Sequence, residues 1–475
     1  MTFVRRMLPV FCLALLLTCL IALPCFGQTA PSPPAPASAA AAAQPASAQQ
    51  YSLPPGKLAQ AIALGRIRAA LDIGGSLWAL AILWLLLATG TAAGLARWTE
   101  RLLCRRWQQG LLFFAVFLVL TTLANLPLDA LGHIASRSFG ISVQGWAGWL
   151  GDLAKGLGLS LLFGVPLLLF FNWIVRVSPR RFWLWAWLAA LPLIVFSVFA
   201  SPLLDPIFNK FEPLEAHHAA LVARLETVVA RIGTHIPPSR MFLMKASRKS
   251  NGINAYVTGI GSTKRFVLWD TTVDRLPQDE ILFIFGHESG HYVLHHIPKE
   301  LCGMTASLFF VFWGCAGVSG WLVRRFGARW GLATSAGAPS FAPVAKGGNR
   351  EIHRSESEPA PLASRPGFVL LLFVLSSAGF LLQPAANAFS RYFEHQADIY
   401  GQEAIHGLVA NPQETVVSAF NHMGEAWLED PNPSPIIEFW ESSHPSVQQR
   451  VRFAAHYDPW ANGGRGRFFA KQTGP

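Results

Sequence analysis

Residues 281–296 read Ile281-Leu-Phe-Ile-Phe-Gly-His287-Glu288-Ser-Gly-His291-Tyr-Val-Leu-His295-His296. If this stretch is helical, His287 and His291 lie one turn apart on the same face, because residues i and i+4 are neighbours on a helix. Two neutral imidazole nitrogens fill half of a tetrahedral zinc site, and Glu288 can act as general base on a water at the metal. The stretch therefore predicts an H-E-x-x-H zinc helix, as in metalloproteases.

The flanking sequence favours a helix here. Asp279 and Glu280 precede the apolar run, and acidic residues are favourable near the positive N-terminal end of a helix. Gly286 and Gly290 weaken a helix by about 1 kcal/mol each relative to alanine, so we expect a neighbouring backbone to approach closely at these positions. The alternative is that the two histidines are ordinary residues of an apolar helix, which the intervening glutamate disfavours.

The composition indicates a membrane protein. The 475-residue chain is 52% hydrophobic and only 14% charged, which is too apolar for an ordinary soluble globule. The formal net charge is +11, but the basic residues cluster at the ends of apolar segments, at 97–106, 176–181 and 324–329. Such clusters are topology signals, so we expect no nucleic-acid partner. The six cysteines form no C-x-x-C pair and support neither a cysteine zinc site nor a disulfide framework.

Hydrophobicity and composition divide the chain into eight segments. In order these are a signal peptide or first apolar helix (1–30), a disordered linker (31–60), a four-helix transmembrane region (61–204), an extramembrane α+β region with the zinc helix (205–300), a transmembrane helix (301–323), a flexible loop (324–366), a transmembrane helix that continues to a candidate third ligand (367–396) and a C-terminal helical part of the peptidase domain (397–475). Whether the N-terminal segment is cleaved stays open.

The predicted fold class is mainly α, a polytopic helical membrane protein with a small α+β zinc-metallopeptidase domain. Each predicted membrane segment is long enough to cross about 30 Å of hydrocarbon as a helix. The six segments lie at 74–98, 110–131, 157–177, 182–204, 301–323 and 367–389. In the polar region, periodicity predicts a helix at Leu214–Ile232 and strands at Arg240–Met244, Ala255–Gly259 and Phe266–Trp269.

A catalytic zinc site needs a third protein ligand. His295 lies two turns from His287, about 12 Å along a helix, so one ion cannot bind both. A glutamate from a second helix, as in thermolysin-like enzymes, is available in Ser390-Arg391-Tyr-Phe-Glu394-His-Gln-Ala-Asp398. Glu394 and Asp398 share a helical face, so Glu394 can bind zinc while Asp398 orients a ligating imidazole or donates a proton to the leaving group. A solvated acidic face is the alternative.

At this point the sequence resembles the zinc-dependent CAAX prenyl proteases (type I), a family of polytopic membrane metalloendopeptidases. The resemblance covers about residues 136–450 and rests on several motifs in the same order. These motifs are Asp205-Pro-Ile-Phe-Asn-Lys-Phe, Asn254-Ala-Tyr256, His287-Glu-Ser-Gly-His291, Asn387-Ala-Phe-Ser-Arg391-Tyr-Phe-Glu394 and Ser443-His444-Pro445. It implies a ring of transmembrane helices around a water-filled chamber, with a gluzincin-like zinc site at one end.

The resemblance also implies roles for single residues. It implies one Zn²⁺ ion per chain, held by His287, His291 and Glu394, with Glu288 as the base and Asp398 as a catalytic proton donor. It further implies that Asn254 contacts the substrate backbone and that His444 and Arg450 contact the transition state or the substrate.

The sequence therefore predicts an integral-membrane zinc metalloendopeptidase, similar to the CAAX prenyl proteases, that acts on peptide or protein substrates within or beside the lipid bilayer. The leader and the low-complexity linker are typical of a bacterial protein, so we expect a multi-pass protein of the inner membrane. The basic clusters predict that its catalytic region faces the periplasm. Whether substrates are prenylated stays open. The alternative is a non-catalytic membrane scaffold or chaperone-like peptide-binding protein with a structural zinc site.

Overall fold

The computed structural model describes residues 51–259, 261–332, 361–461 and 463–469. The predicted leader at 1–30, most of the predicted linker and the central part of the predicted loop at 324–366 lie outside these residues. Five helices are long and apolar enough to cross a membrane, and a sixth is apolar over Phe182–Phe196. Together with a small sheet they confirm the predicted fold class.

Long helices form the membrane part of the chain, and most of the shorter helices lie in the extramembrane domain. In chain order the helices are α1 (Pro55–Ala88), α2 (Thr91–Leu102), α3 (Arg106–Ser138), α4 (Trp146–Leu159), α5 (Val165–Val177), α6 (Phe182–Phe208), α7 (Glu215–Ile232), α8 (Asp270–Arg275), α9 (Gln278–Val293), α10 (His296–Phe326), α11 (Arg365–Ile405), α12 (Pro412–Trp427), α13 (Pro435–Glu441) and α14 (Val447–His456). A π-helical turn at Ser160–Gly164 joins α4 to α5, so the two form one span.

Two predicted boundaries are wrong near the start of this region. The first span was expected at 74–98, but α1 ends at Ala88 and Gly90 adopts a left-handed conformation with φ 70°, so a separate helix begins at Thr91. The linker was expected to reach residue 60, but α1 begins at Pro55. Tyr51 anchors this start, because its ring is buried and its hydroxyl donates a hydrogen bond to the carbonyl of Glu429.

A four-stranded sheet supports helix α9 from one side. The strands are β1 (Phe211–Pro213), β2 (Met241–Met244), β3 (Ala255–Thr258) and β4 (Arg265–Trp269), in the order β1-β2-β4-β3. β2 pairs in parallel with β4, and the other two pairs are antiparallel. Three strands lie within one residue of their predicted positions, whereas the short β1 was not predicted. β3 forms an edge of the sheet.

Helix α9 is the centre of the extramembrane core. The apolar run that precedes His287 is buried, and Phe285 packs edge-to-face on Phe266 of β4 while Phe283 does so on Phe420 of α12. Burial of each large side chain stabilises the fold by about 1.5–3 kcal/mol. The apolar residues of α9 thus fix the rotation of the helix and hence the direction of its histidines.

Candidate metal centre

Helix α9 brings the two histidines of the H-E-x-x-H stretch onto one face. His287 Nε2 and His291 Nε2 are 3.3 Å apart. His287 is buried and His291 is only 20% exposed at its side chain. The predicted one-turn spacing therefore brings together two imidazole nitrogens that are largely shielded from solvent.

Glu394 of α11 completes a group of three metal-binding side chains. Its Oε2 lies 3.3 Å from His287 Nε2, and its Oε1 lies 3.5 Å from His291 Nε2. In a tetrahedral site with bonds of about 2.0–2.1 Å, two ligand atoms are about 3.3–3.4 Å apart. The three side chains are therefore spaced as zinc requires, and they are the one such group in the described ranges.

Glycines at the helix crossing make this arrangement possible. A Cβ atom on Gly286 would lie 3.2 Å from Gly401 Cα, and one on Gly401 would lie 2.9 Å from the backbone nitrogen of His287. Gly290 similarly faces the ring of Tyr400. The predicted close approach of a neighbouring backbone is thus observed at Gly286, where α11 approaches, whereas at Gly290 the neighbour is a side chain of α11.

The charges of the site suit a cation. Although burial opposes protonation, hydrogen bonds and charge interactions with Glu394 and Asp398 raise the pKa of His287 to about 10. Burial, followed by the charge of His287, lowers the pKa of His291 to about 3. Glu394 Oε2 is also buried without a partner of good hydrogen-bond geometry in the described part of the chain. The two carboxylates thus favour positive charge beside the imidazoles, and a bound divalent ion is compatible with this setting.

Asp398 lies behind His287, one turn along α11 from Glu394. Its Oδ1 is 2.9 Å from His287 Nδ1, although the angle at the ring nitrogen falls short of strict hydrogen-bond geometry. Arg450 of α14 is buried and donates to both carboxylate oxygens, with 2.9 Å from Nε to Oδ2. Of the two roles that the spacing allowed for Asp398, these contacts favour orientation of the imidazole over proton donation.

Glu288 faces the opposite wall of the site. Burial raises its pKa to about 7, and its carboxylate accepts a hydrogen bond from the backbone of Val257 in β3. A carboxyl group with a pKa near neutrality is suited to accept and then return a proton. Glu288 therefore has the electrostatic setting of a general base, and β3 holds it in place.

A narrow cavity joins most of the predicted site residues. It is lined by Ile253, Asn254, Ala255, Phe283, Ile284, His287, Glu288, Glu394, Phe420, Met423, His444 and Arg450. Two predicted site residues, His291 and Asp398, are absent from this lining. Asp398 contacts His287 through Nδ1, on the side of the ring that faces away from Glu394. The exposed Asn254 directly precedes β3 at the cavity, and its side-chain oxygen accepts a hydrogen bond from the backbone of Ala255.

His444 and Arg450 occupy different depths of the cavity. His444 is 57% exposed at its side chain, and its Nε2 lies 3.3 Å from Glu394 Oε2. Arg450 is buried, and its Nη2 lies 3.9 Å from the same oxygen. His444 is thus open to a substrate, whereas Arg450 is largely engaged by Asp398.

Two residues of the candidate site, Gly401 and Val257, were not predicted from the sequence. Glu394, Asp398 and Gly401 follow at i, i+4 and i+7, so this face of α11 could have been recognised as the one that meets the zinc helix. Val257 contributes only its backbone, and no side-chain pattern could have identified it.

Comparison with known proteins gives matches over nearly the whole described chain. The model of peptidase family M48 matches residues 215–458, and the model "CAAX prenyl protease N-terminal, five membrane helices" matches residues 38–210. The uncharacterized metalloprotease YhfN of Bacillus subtilis is 32% identical over 376 residues, which are 78% of this chain and 79% of that protein. CAAX prenyl protease 1 of Saccharomyces cerevisiae is 27% identical over 350 residues, or 72% of this chain and 71% of that protein.

The fold also matches a solved structure. The crystal structure of S. mikatae Ste24p superposes with a TM-score of 0.68 at 23% identity, covering 85% of this chain and 90% of that one. This likeness supports the fold. The family matches support a metalloprotease, and they give no support to the alternative of a non-catalytic scaffold.

Proposed function

Because this chain belongs to peptidase family M48 and is an integral-membrane metalloendopeptidase, we propose that it is a zinc enzyme whose ion is held by His287, His291 and Glu394. The observation that carries this proposal is the convergence of two imidazole nitrogens, 3.3 Å apart, on one carboxylate, whose Oε2 lies 3.3 Å from His287 Nε2 and whose Oε1 lies 3.5 Å from His291 Nε2. Imidazole and carboxylate ligands in tetrahedral spacing, without a thiolate, are typical of catalytic zinc. Three protein ligands would leave the fourth position of such an ion to water or substrate.

The remaining residues divide the work of peptide hydrolysis. The chemistry that bound zinc supplies is Lewis acidity, which polarises the scissile carbonyl and makes water a better nucleophile. Glu288 accepts the proton of the attacking water and passes it to the leaving amine. His444, at the open side of the cavity, stabilises the negative charge that develops on the carbonyl oxygen. Asp398, held by Arg450, keeps Nε2 of His287 directed at the ion.

We propose that the substrate binds as an extended peptide along the free edge of β3. An edge strand offers unpaired backbone groups, and a peptide that adds to it gains main-chain hydrogen bonds with little dependence on sequence. Asn254 and Ala255 line both the start of this edge and the cavity of the candidate site. Asn254 then fixes the register of the peptide backbone beside Glu288.

Three variants test the zinc mechanism. Glu288→Gln keeps the shape of the side chain but cannot accept a proton, so peptidase activity should vanish while one zinc ion per chain is retained. Glu394→Gln and His287→Ala should lose both zinc and activity. The measurements are metal analysis of the purified full-length protein and chelator-sensitive hydrolysis of a casein-derived peptide mixture. Retained proteolysis by Glu288→Gln would contradict the role of the base.

We also propose a bacterial inner membrane location with the site facing the periplasm. Arg365, at the start of α11, donates to Glu100 and to the carbonyl of Arg106, and Arg176 lies within electrostatic reach of Arg365. Basic clusters thus gather at one end of the helix bundle. Glu394 follows 29 residues later on the same helix (394 − 365 = 29), about 44 Å away. By the positive-inside rule the site then faces outward.

Thiol labelling tests this orientation. Cys104 is exposed at the basic end, and Arg452 is exposed on α14 at the catalytic end. With the other cysteines replaced, Arg452→Cys should react with an impermeant maleimide in intact spheroplasts, whereas Cys104 should react only after permeabilisation. The opposite pattern would place the site in the cytoplasm. Hydrolysis of one peptide with and without a farnesyl group would then show whether prenylated substrates are used.

A further inference from the structure

His296 is a fully buried histidine beside the candidate site that belongs neither to the candidate ligand group nor to the cavity lining. It is the first residue of α10, directly after His295, whose left-handed conformation at φ 57° reverses the chain between α9 and α10. Its exposed fraction is 0%. Its ring stacks on Phe393, with centroids 4.4 Å apart and planes 24° apart. The turn at His295 thus folds this imidazole back onto the zinc helix.

The contact that matters joins two ring nitrogens. Nδ1 of His296 lies 3.2 Å from Nδ1 of His291. His291 faces the candidate ion with Nε2, so Nδ1 is the nitrogen that must carry its proton when Nε2 is a ligand. We assign His296 Nδ1 as the acceptor of that proton. Its own proton is then on Nε2, which has no partner of strict hydrogen-bond geometry among the described residues. The buried side chain of Gln396 also interacts with this ring.

The two candidate zinc ligands on α9 are therefore held in different ways. His287 has a carboxylate behind it, Asp398, which is fixed by an arginine. His291 has a neutral imidazole behind it. A metal-binding histidine is usually oriented by a partner of its second nitrogen, and loss of such a partner typically costs about 10–100-fold in metal affinity or activity. His296 supplies this partner without adding another negative charge to a site that already contains three carboxyl groups.

We propose that His296 is a positioning residue for zinc binding, which accepts the Nδ1 proton of His291 and thereby fixes both the ring orientation and the tautomer of that ligand. The inference rests on the zinc site proposed above. His296 itself cannot bind the same ion. It contacts Nδ1 of His291, whereas the ion would lie on the opposite side of that ring, at Nε2 beside Glu394. The competing explanation is that His296 only fills space between α10 and Phe393.

A pair of variants of similar size separates these explanations. His296→Asn places an oxygen acceptor near the position of Nδ1, whereas His296→Leu fills a similar volume without an acceptor. Phe393→Leu removes the stacking partner but keeps the imidazole. His295→Asn is the matched control, because it changes the neighbouring histidine and asparagine tolerates a left-handed conformation.

The measurement is zinc affinity of the purified full-length protein, by competition with a chromophoric chelator. We expect His296→Leu to bind zinc about 10–100-fold more weakly, and His296→Asn, Phe393→Leu and His295→Asn to stay within about threefold of the wild type. The visible spectrum of bound Co²⁺ should change in His296→Leu and not in Phe393→Leu, because only the former frees the ring of His291.

Each other outcome is decisive. Equal losses in His296→Leu, His296→Asn and Phe393→Leu would show that His296 acts through packing and would overturn the inference, as would wild-type affinity in His296→Leu. If His296→Leu does not fold, the comparison of His296→Asn with Phe393→Leu still decides, since only a packing role makes both weaken zinc binding. A wild-type protein that binds no zinc would overturn the proposed function itself.

Discussion

The helix crossing at Gly401 gives a prediction whose size follows from the structure. In Gly401→Ala, the new Cβ would lie 2.9 Å from the backbone nitrogen and 3.1 Å from Cα of His287. Ordinary van der Waals contact begins at 3.4 Å, so the two helices must separate by about 0.5 Å (3.4 − 2.9) at this point. The contacted atoms are backbone, so rotation of a side chain cannot relieve the clash.

This displacement is large for a metal site. Zinc–ligand distances are held within about 0.2 Å, and His287 sits directly at the contact while Glu394 projects from the displaced helix. We therefore expect Gly401→Ala to bind zinc at least about tenfold more weakly, to lose peptidase activity in proportion, and to unfold with about 1–3 kcal/mol less stability.

Gly379 provides the matched control on the same helix. A Cβ atom there meets nothing within 4 Å, so Gly379→Ala should leave zinc affinity unchanged and raise helix stability by up to about 1 kcal/mol. Both variants are measured by zinc competition with a chromophoric chelator and by thermal unfolding in detergent. If Gly401→Ala binds zinc as tightly as Gly379→Ala, the crossing does not set the geometry of the site.

Three further predictions concern other parts of the extramembrane domain. Arg450→Met removes the guanidinium that pairs with the buried carboxylate of Asp398, so thermal unfolding should show a loss of about 3–5 kcal/mol, and an unchanged stability would contradict the buried ion pair. A hydrogen bond with Glu280 raises the pKa of His422. The stabilisation by this contact should therefore be full below the unfolded pKa of about 6.5 and be lost as the pH rises through the raised folded value. The melting temperatures of wild type and His422→Gln should then differ at about pH 6 and converge at about pH 9; a constant difference would refute this linkage. The buried Glu403 accepts three backbone N–H groups from residues 467–469, so Glu403→Gln should expose this segment to trypsin faster than in the wild type, and equal cleavage rates would count against the anchor.

Several features of the fold follow from short-range patterns. The three predicted strands lie within one residue of their observed positions, and the helix predicted at Leu214–Ile232 is observed at Glu215–Ile232. An element that buries one face has apolar residues at every second position in a strand and every third or fourth position in a helix, so the sequence shows this pattern directly. The break at Gly90 was missed because the apolar composition continues across it, and a left-handed glycine leaves no mark on hydrophobicity. The start of α1 was missed because it depends on the burial of Tyr51 against α12, far away in the chain.

The sequence by itself determined that His287, Glu288 and His291 belong together, because residues one turn apart on a helix are neighbours in any fold. It also determined that Glu394 and Asp398 share a face. Only the tertiary structure decided how these two faces meet, through the contact of Gly286 with Gly401, and which nitrogen each partner touches. The tertiary structure also decided that Arg450 contacts Asp398 and that His296 contacts His291, because each contact depends on a turn or a helix crossing. Periodicity orders residues along one element, whereas the distances between elements are set by close packing of side chains and backbone from remote parts of the chain.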